Sequence, residues 1–128
     1  MPYERKQIFL CEKCGNLIGM INDTGVPMMC CGQQMTHLQP NKADTAEEKH
    51  KPVIKIEGNA VKAKIGETAH LMESDHSIMW AYLQTDRGGQ RKCFEENSTP
   101  EVTFLLNDEN PVAVYAYCNK HGLWRTEI

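Results

Sequence analysis

Four cysteines crowd the first part of the chain, as the motif Cys11-x-x-Cys14 followed by the adjacent pair Cys30-Cys31. A CxxC turn places two sulfurs on one side of a tight loop, and a second pair arriving from a neighbouring strand completes a tetrahedron of the kind that suits zinc or iron. The adjacency of Cys30 and Cys31 restricts the backbone. Neighbouring residues of a strand point to opposite faces, so both sulfurs reach one metal only from a turn. Around these cysteines, residues 1–38 offer only short apolar runs broken by "GN", "NDTG" and "CCGQQ". A unit below about 40 residues rarely buries enough surface to fold alone and usually needs a metal, disulfides or oligomerisation. The pattern therefore predicts a small metal-stapled module. The spacing leaves zinc and iron both open.

The 128 residues suit one ordinary domain, or a small domain attached to a medium one. A hydrophobic content of 41% with 24% charged residues is that of a globular protein. The formal net charge of −3 argues against a nucleic-acid partner, which calls for an excess of lysine and arginine. No apolar run is long enough for a secretory leader or a membrane span, so a cytoplasmic location is expected. Thiols stay reduced there, and six cysteines then point to metal ligation or redox chemistry before disulfides.

Residues 39–50, within "QPNKADTAEEKHKP", are polar and lack a hydrophobic period; they are expected to form a linker, carrying Glu48, Lys49 and His50. Thr45 and Glu48 have the spacing of a capping box for one helical turn. From residue 51 to 128 the pattern is strand-like. "VIKIE" and "AVKAKI" flank the turn pair Gly58-Asn59. "HSIMWAYLQ", "RKCFEE", "EVTFLLN", "PVAVYAYC" and "LWRTEI" follow, separated by "TDRGGQ", "NSTP", "NDEN" and "NKHG". About seven short strands without helical periodicity predict an all-β chain: the metal-stapled module, then an immunoglobulin-like antiparallel β-sandwich.

Near the C-terminus, "YAYCNKHGLW" sets Cys118 three places before His121. Taken alone, the pair reads first as a buried thiol beside a surface histidine, because free cysteine behaves mostly as a small hydrophobe, and only second as half of a metal site. The rest of the chain adds weight to the second reading. "CEKCGN…CCGQQM" resembles the desulforedoxin module, whose four cysteines hold one iron as in rubredoxin, and which forms the N-terminal part of desulfoferrodoxins, the two-iron superoxide reductases. "EEKH", "AHLME", "SDHSIMW" and "CNKHG" resemble the second iron site of that family in the same order. The resemblance implies two irons per chain. Cys11, Cys14, Cys30 and Cys31 would hold the first; His50, His70, His76 and His121 would be the equatorial ligands of the second, with Cys118 axial. His37 and Cys93 match no ligand position, and Cys93 is expected to be a partly packed strand residue. Trp80 and Trp124 are expected in the sandwich core. Leu71 stands where family members often carry proline, which loosens the loop after His70.

The implied activity is superoxide reductase: superoxide takes one electron at an open coordination position and leaves, after two protons, as hydrogen peroxide. Ferrous iron with four neutral imidazoles and one thiolate carries a net charge near +1, which attracts a small anion, and the thiolate donates electron density toward the open position. The resemblance gives Glu48 the closing of that position in the oxidised site. It gives Lys49 the positive charge that guides superoxide, with water as proton donor. It further implies an external electron donor such as rubredoxin, and a homodimer is the expected assembly. A dismutase would also have to oxidise superoxide, which the thiolate and the closing carboxylate disfavour. The non-enzymatic alternative is a rubredoxin-like electron carrier with a metal-stabilised β-sandwich.

Overall fold

A computed structural model describes residues 5–41, 51–66, 77–95 and 97–128. The chain divides into two compact units, Met1–Gln39 and Pro40–Ile128. All regular structure among the described residues is strand.

In the first unit, β1 (Ile8–Leu10) lies between β2 (Leu17–Gly19) and β5 (Thr36–His37), antiparallel to both. Its register pairs Leu10 with Leu17 and Phe9 with His37. A separate hairpin joins β3 (Met29–Cys30) to β4 (Gln33–Gln34). The interior is small: among the described residues of this unit only Ile8, Cys11 and Met35 are buried apolar side chains. Such a core needs the staple that its cysteines predict.

The second unit holds seven strands: β6 (Pro52–Glu57), β7 (Ala60–Ile65), β8 (Ile78–Thr85), β9 (Gly88–Cys93), β10 (Glu101–Leu105), β11 (Pro111–Cys118) and β12 (Gly122–Glu127). They form two antiparallel sheets, β10-β7-β6 and β12-β11-β8-β9. Period-two alternation turns Val61, Ala63 and Ile65 of β7 and Phe104 of β10 inward, against Ile78, Ala81 and Leu83 of β8 and Val114, Ala116 and Cys118 of β11. These side chains make one core between the sheets, the expected sandwich. Its alternation breaks once near the end that concerns function. Tyr117 pairs with Trp80, but Cys118 pairs with Ile78, so Met79 is the extra residue of a β-bulge. Ile78 and Ala81 both face the core, three positions apart, because of it.

Three details differ from expectation. The stretch "TDRGGQ" is less turn than anticipated: the loop is Asp86-Arg87, and Gly88 already pairs with Thr85. Glycines seldom extend a strand, but a Cβ at Gly89 would strike the Tyr82 ring, so the ring lies over the bare backbone and takes the place of a side chain. Cys93 is exposed rather than partly packed, because it ends the edge strand β9, and Arg91 Nη1 lies 2.8 Å from its sulfur. Trp124 is buried as expected, whereas Trp80 is half-buried and stacks on Tyr117 with ring centroids 5.7 Å apart.

Candidate metal centres

The sulfurs of Cys11, Cys14, Cys30 and Cys31 all lie within 4.8 Å of one another. Local structure accounts for the convergence. Cys11 follows β1, and the amide of Gly15 donates to the Cys11 carbonyl at 2.9 Å, closing the CxxC turn. The Cys11 amide in turn donates to the Asn16 carbonyl at 2.9 Å. On the facing hairpin, Cys31 and Gly32 form the two-residue turn between β3 and β4 with φ of 53° and 73°. Positive φ at both turn positions is the type I′ pattern, whose twist suits a tight hairpin. It also takes Cys31 out of strand alternation, so its sulfur comes to the same side as that of Cys30. A cysteine in this left-handed region is uncommon. The ligand cluster is a reason to tolerate it.

The spacing fits a metal and excludes a disulfide. Cys14 Sγ lies 3.6 Å from Cys30 Sγ, and Cys30 Sγ lies 4.0 Å from Cys31 Sγ. Sulfurs bound at about 2.3 Å in a tetrahedron sit about 3.8 Å apart, whereas a disulfide bond is about 2.05 Å long. The electrostatics agree. The amide of Cys14 lowers the Cys11 thiol from 9.0 to about 6 against the opposing effect of burial. The neighbouring Cys14 and Cys11 thiols push Cys31 up to about 12, and Cys11 and Cys14 likewise raise Cys30. Four clustered thiols release a first proton easily and resist releasing the last. A cation at their centre removes that conflict. Asn16 Nδ2, 3.7 Å from Cys30 Sγ, adds a donor that sequence spacing alone did not single out. Cys14 and Cys31 are exposed, so the cluster opens to solvent on one side.

In the second unit, Cys118 ends β11 with its side chain fully buried, and His121 stands exposed in the turn that follows. Cys118 Sγ and His121 Nδ1 are 3.6 Å apart. Sulfur and nitrogen donors held on one metal at about 2.3 and 2.1 Å, at angles near 90–110°, lie roughly 3.1–3.6 Å from each other. The pair therefore fits adjacent positions on one ion. Gly122 closes the turn at φ +83°. Two asparagines brace it. The Ser77 amide donates to Asn119 Oδ1 at 3.0 Å, and the Asn119 amide donates to the Ser77 carbonyl at 3.3 Å. Asn41 donates through Nδ2 to the His121 carbonyl at 2.6 Å and through its amide to the Leu123 carbonyl at 2.8 Å. His50, His70, His76, Glu48, Lys49 and the Thr45–Glu48 capping box lie outside the described residues. His37 stacks on Phe9 at 4.9 Å and meets Gln39 through Nδ1 at 3.2 Å, apart from the cysteine cluster.

Comparison with known proteins covers both units. Residues 42–127 match the family model for desulfoferrodoxin, and residues 3–38 match the model for the desulfoferrodoxin N-terminal domain. A desulfoferrodoxin from Desulfarculus baarsii is 39% identical over 127 residues, 99% of each chain. The superoxide reductase from Treponema pallidum shares the fold with a TM-score of 0.79 at 32% identity, over 96% of this chain and 98% of that one. The superoxide reductase (1Fe-SOR) from Giardia intestinalis matches at a TM-score of 0.53 and 26% identity, over 97% of its own length but 63% of this chain. Two family models thus account for nearly every residue, in chain order, with the four-sulfur cluster inside the first: the chain belongs to the desulfoferrodoxin family.

Proposed function

We infer that this chain is a superoxide reductase, an oxidoreductase that reduces superoxide by one electron to hydrogen peroxide. The family and the structural likeness to superoxide reductases support the reading. The observation that carries it to a site is the fully buried Cys118 thiol beside His121 Nδ1 at 3.6 Å. In this reading Cys11, Cys14, Cys30 and Cys31 hold one iron, and His50, His70, His76, His121 and Cys118 hold the second. Ferrous iron, when bound, supplies the electron that superoxide accepts.

The chain's own groups do the remainder. Cys118 is fully buried, so the thiolate it would offer to a bound metal is shielded from bulk water. Lys49 would supply positive charge for superoxide, Glu48 would offer a carboxylate to the oxidised metal, and two protons would come from water. Superoxide, one electron and two protons balance to one hydrogen peroxide. The electron is restored by an external carrier of the rubredoxin class. A homodimer in the cytoplasm completes the proposal: six cysteines, none of them in a disulfide, suit a reducing compartment.

Metal analysis and the peroxide yield test this. Two irons per chain, and about one peroxide per superoxide consumed, are expected. Half that yield would make the chain a dismutase, and no superoxide consumption would make it a carrier.

A further inference from the structure

We propose that Asn119 and Asn41 are positioning residues of the second metal site, tying the Cys118–His121 turn to the two places where the chain passes to the other proposed ligands. The inference rests on the ligand set proposed above and adds residues that bind neither metal nor substrate. Ser77 directly follows His76, and Asn41 leads into the segment that ends at His50. Each is hydrogen-bonded to the same short turn, across 42 residues in the first case and 80 in the second.

The chemistry of the two ties differs. The last main-chain pair of the β8–β11 ladder is Cys118 with Ile78. Beyond it, the Asn119 side-chain oxygen takes the Ser77 amide at 3.0 Å while the Asn119 amide donates back to the Ser77 carbonyl at 3.3 Å. The side chain adds one more rung, and the main chain is left to bend into Lys120 and His121. This tie requires an acceptor on residue 119. Asn41 does the reverse: its Nδ2 donates to the His121 carbonyl at 2.6 Å, so this tie requires a donor on residue 41. Gly122 leaves the space, since a Cβ there would stand 3.1 Å from Asn41 Nδ2. Bonds that orient the residues bearing ligands commonly change metal affinity by about 10–100-fold. Both asparagines are exposed, so the lower end of that range applies.

The test uses the two-iron protein and the transfer of iron to a ferrous chelator, with the four-cysteine iron of the same molecule as internal reference. Asn119→Leu should release second-site iron about tenfold faster or more and shift the second-site optical band. Asn119→Asp keeps the acceptor and should stay within about twofold of the parent. Asn41→Asp loses the donor and should match Asn41→Leu, both faster than the parent. Should Asn119→Leu fail to accumulate, Asn119→Ala takes its place. Parental release from Asn119→Leu or Asn119→Ala, or equal damage from Asn119→Asp and Asn119→Leu, overturns the proposal. A parent protein with no second-site iron would sink the underlying ligand assignment instead.

Discussion

Cys30→Ser asks how far the two units depend on one another. The Cys30 sulfur lies 3.6 Å from that of Cys14 and 4.0 Å from that of Cys31, and Asn16 Nδ2 reaches it at 3.7 Å. Removing it takes away a sulfur with close neighbours in both cysteine pairs. Apart from Cys11, the described residues of the first unit bury only Ile8 and Met35. Complete burial of two such side chains is worth about 3–6 kcal/mol in all. A structural metal in a small domain contributes about 10–16 kcal/mol. Metal, then, and not core, decides whether this unit is folded. Cys30→Ser should lose the first iron's colour and the protection of the β1 amides against hydrogen exchange. The sandwich core draws on β7, β8, β10 and β11, and the proposed second ligand set shares no residue with the first. Melting of the second unit should therefore move by less than about 2 °C. Oxidation of the prereduced second site by superoxide should stay within about twofold of the parent rate. Fast mixing with superoxide, calorimetry and exchange measured on one preparation decide it. Loss of the fast reaction from a variant that keeps its second iron would refute the separation, and so would a first unit that remains protected without metal.

Cys118→Ser should abolish superoxide reduction more completely than a change at any single proposed histidine, because water can replace an imidazole but does not supply a thiolate's charge. A serine variant with ferrous iron and normal turnover would contradict this. Lys49→Ile should slow the bimolecular step by about tenfold or more, at the lower end of the steering range. Its rate should depend less on salt than the parent's, and pulse radiolysis across ionic strength would show equal slopes if Lys49 had no such role. Asp86 braces the loop at the start of β11, taking the Asn110 amide at 2.9 Å and Asn110 Nδ2 at 2.8 Å. The Asn110 amide, helped by the Asn110 side chain, holds the Asp86 carboxyl below its usual 3.8. Its stabilisation is thus present above pH 3.8 and lost as pH falls through the lower folded value. Asp86→Ala should lower the melting point of the second unit near neutrality by a few degrees and flatten the acid limb of its stability curve. Melting curves at graded pH check both.

The hairpin at Gly58-Asn59 was legible because β7 alternates cleanly toward one core and a favoured turn pair precedes it. The turn at Cys31-Gly32 was legible for a different reason: adjacent strand residues diverge, so two adjacent ligands require a break in alternation. The strand character of Gly88 and Gly89 was hidden, since it depends on a tyrosine of the neighbouring strand. Cys93 looked partly packed because local pattern does not reveal which strand ends up at an edge. The histidines proposed for the second iron became visible only through resemblance to a family, as loop residues carry no hydrophobic period. Asn41 and Asn119 were invisible. An amide that bonds to a carbonyl 80 positions away leaves no trace in local spacing.

The bulge at Met79 separates two kinds of constraint on inheritance. Met79 is 43% exposed, so many side chains should be acceptable there. Ile78 and Ala81 share the core face three positions apart because Met79 is the extra residue, so its deletion would leave them two apart, on the same face, with Ile78 still opposite Cys118. What the deletion would remove is the local bend and added twist of the bulge. A one-residue slip elsewhere in β8 would instead turn outward side chains into the core. Position 79 is therefore where divergence can change both the side chain and the number of residues while the core face is kept; the rest of the strand is bound in number as well as in kind.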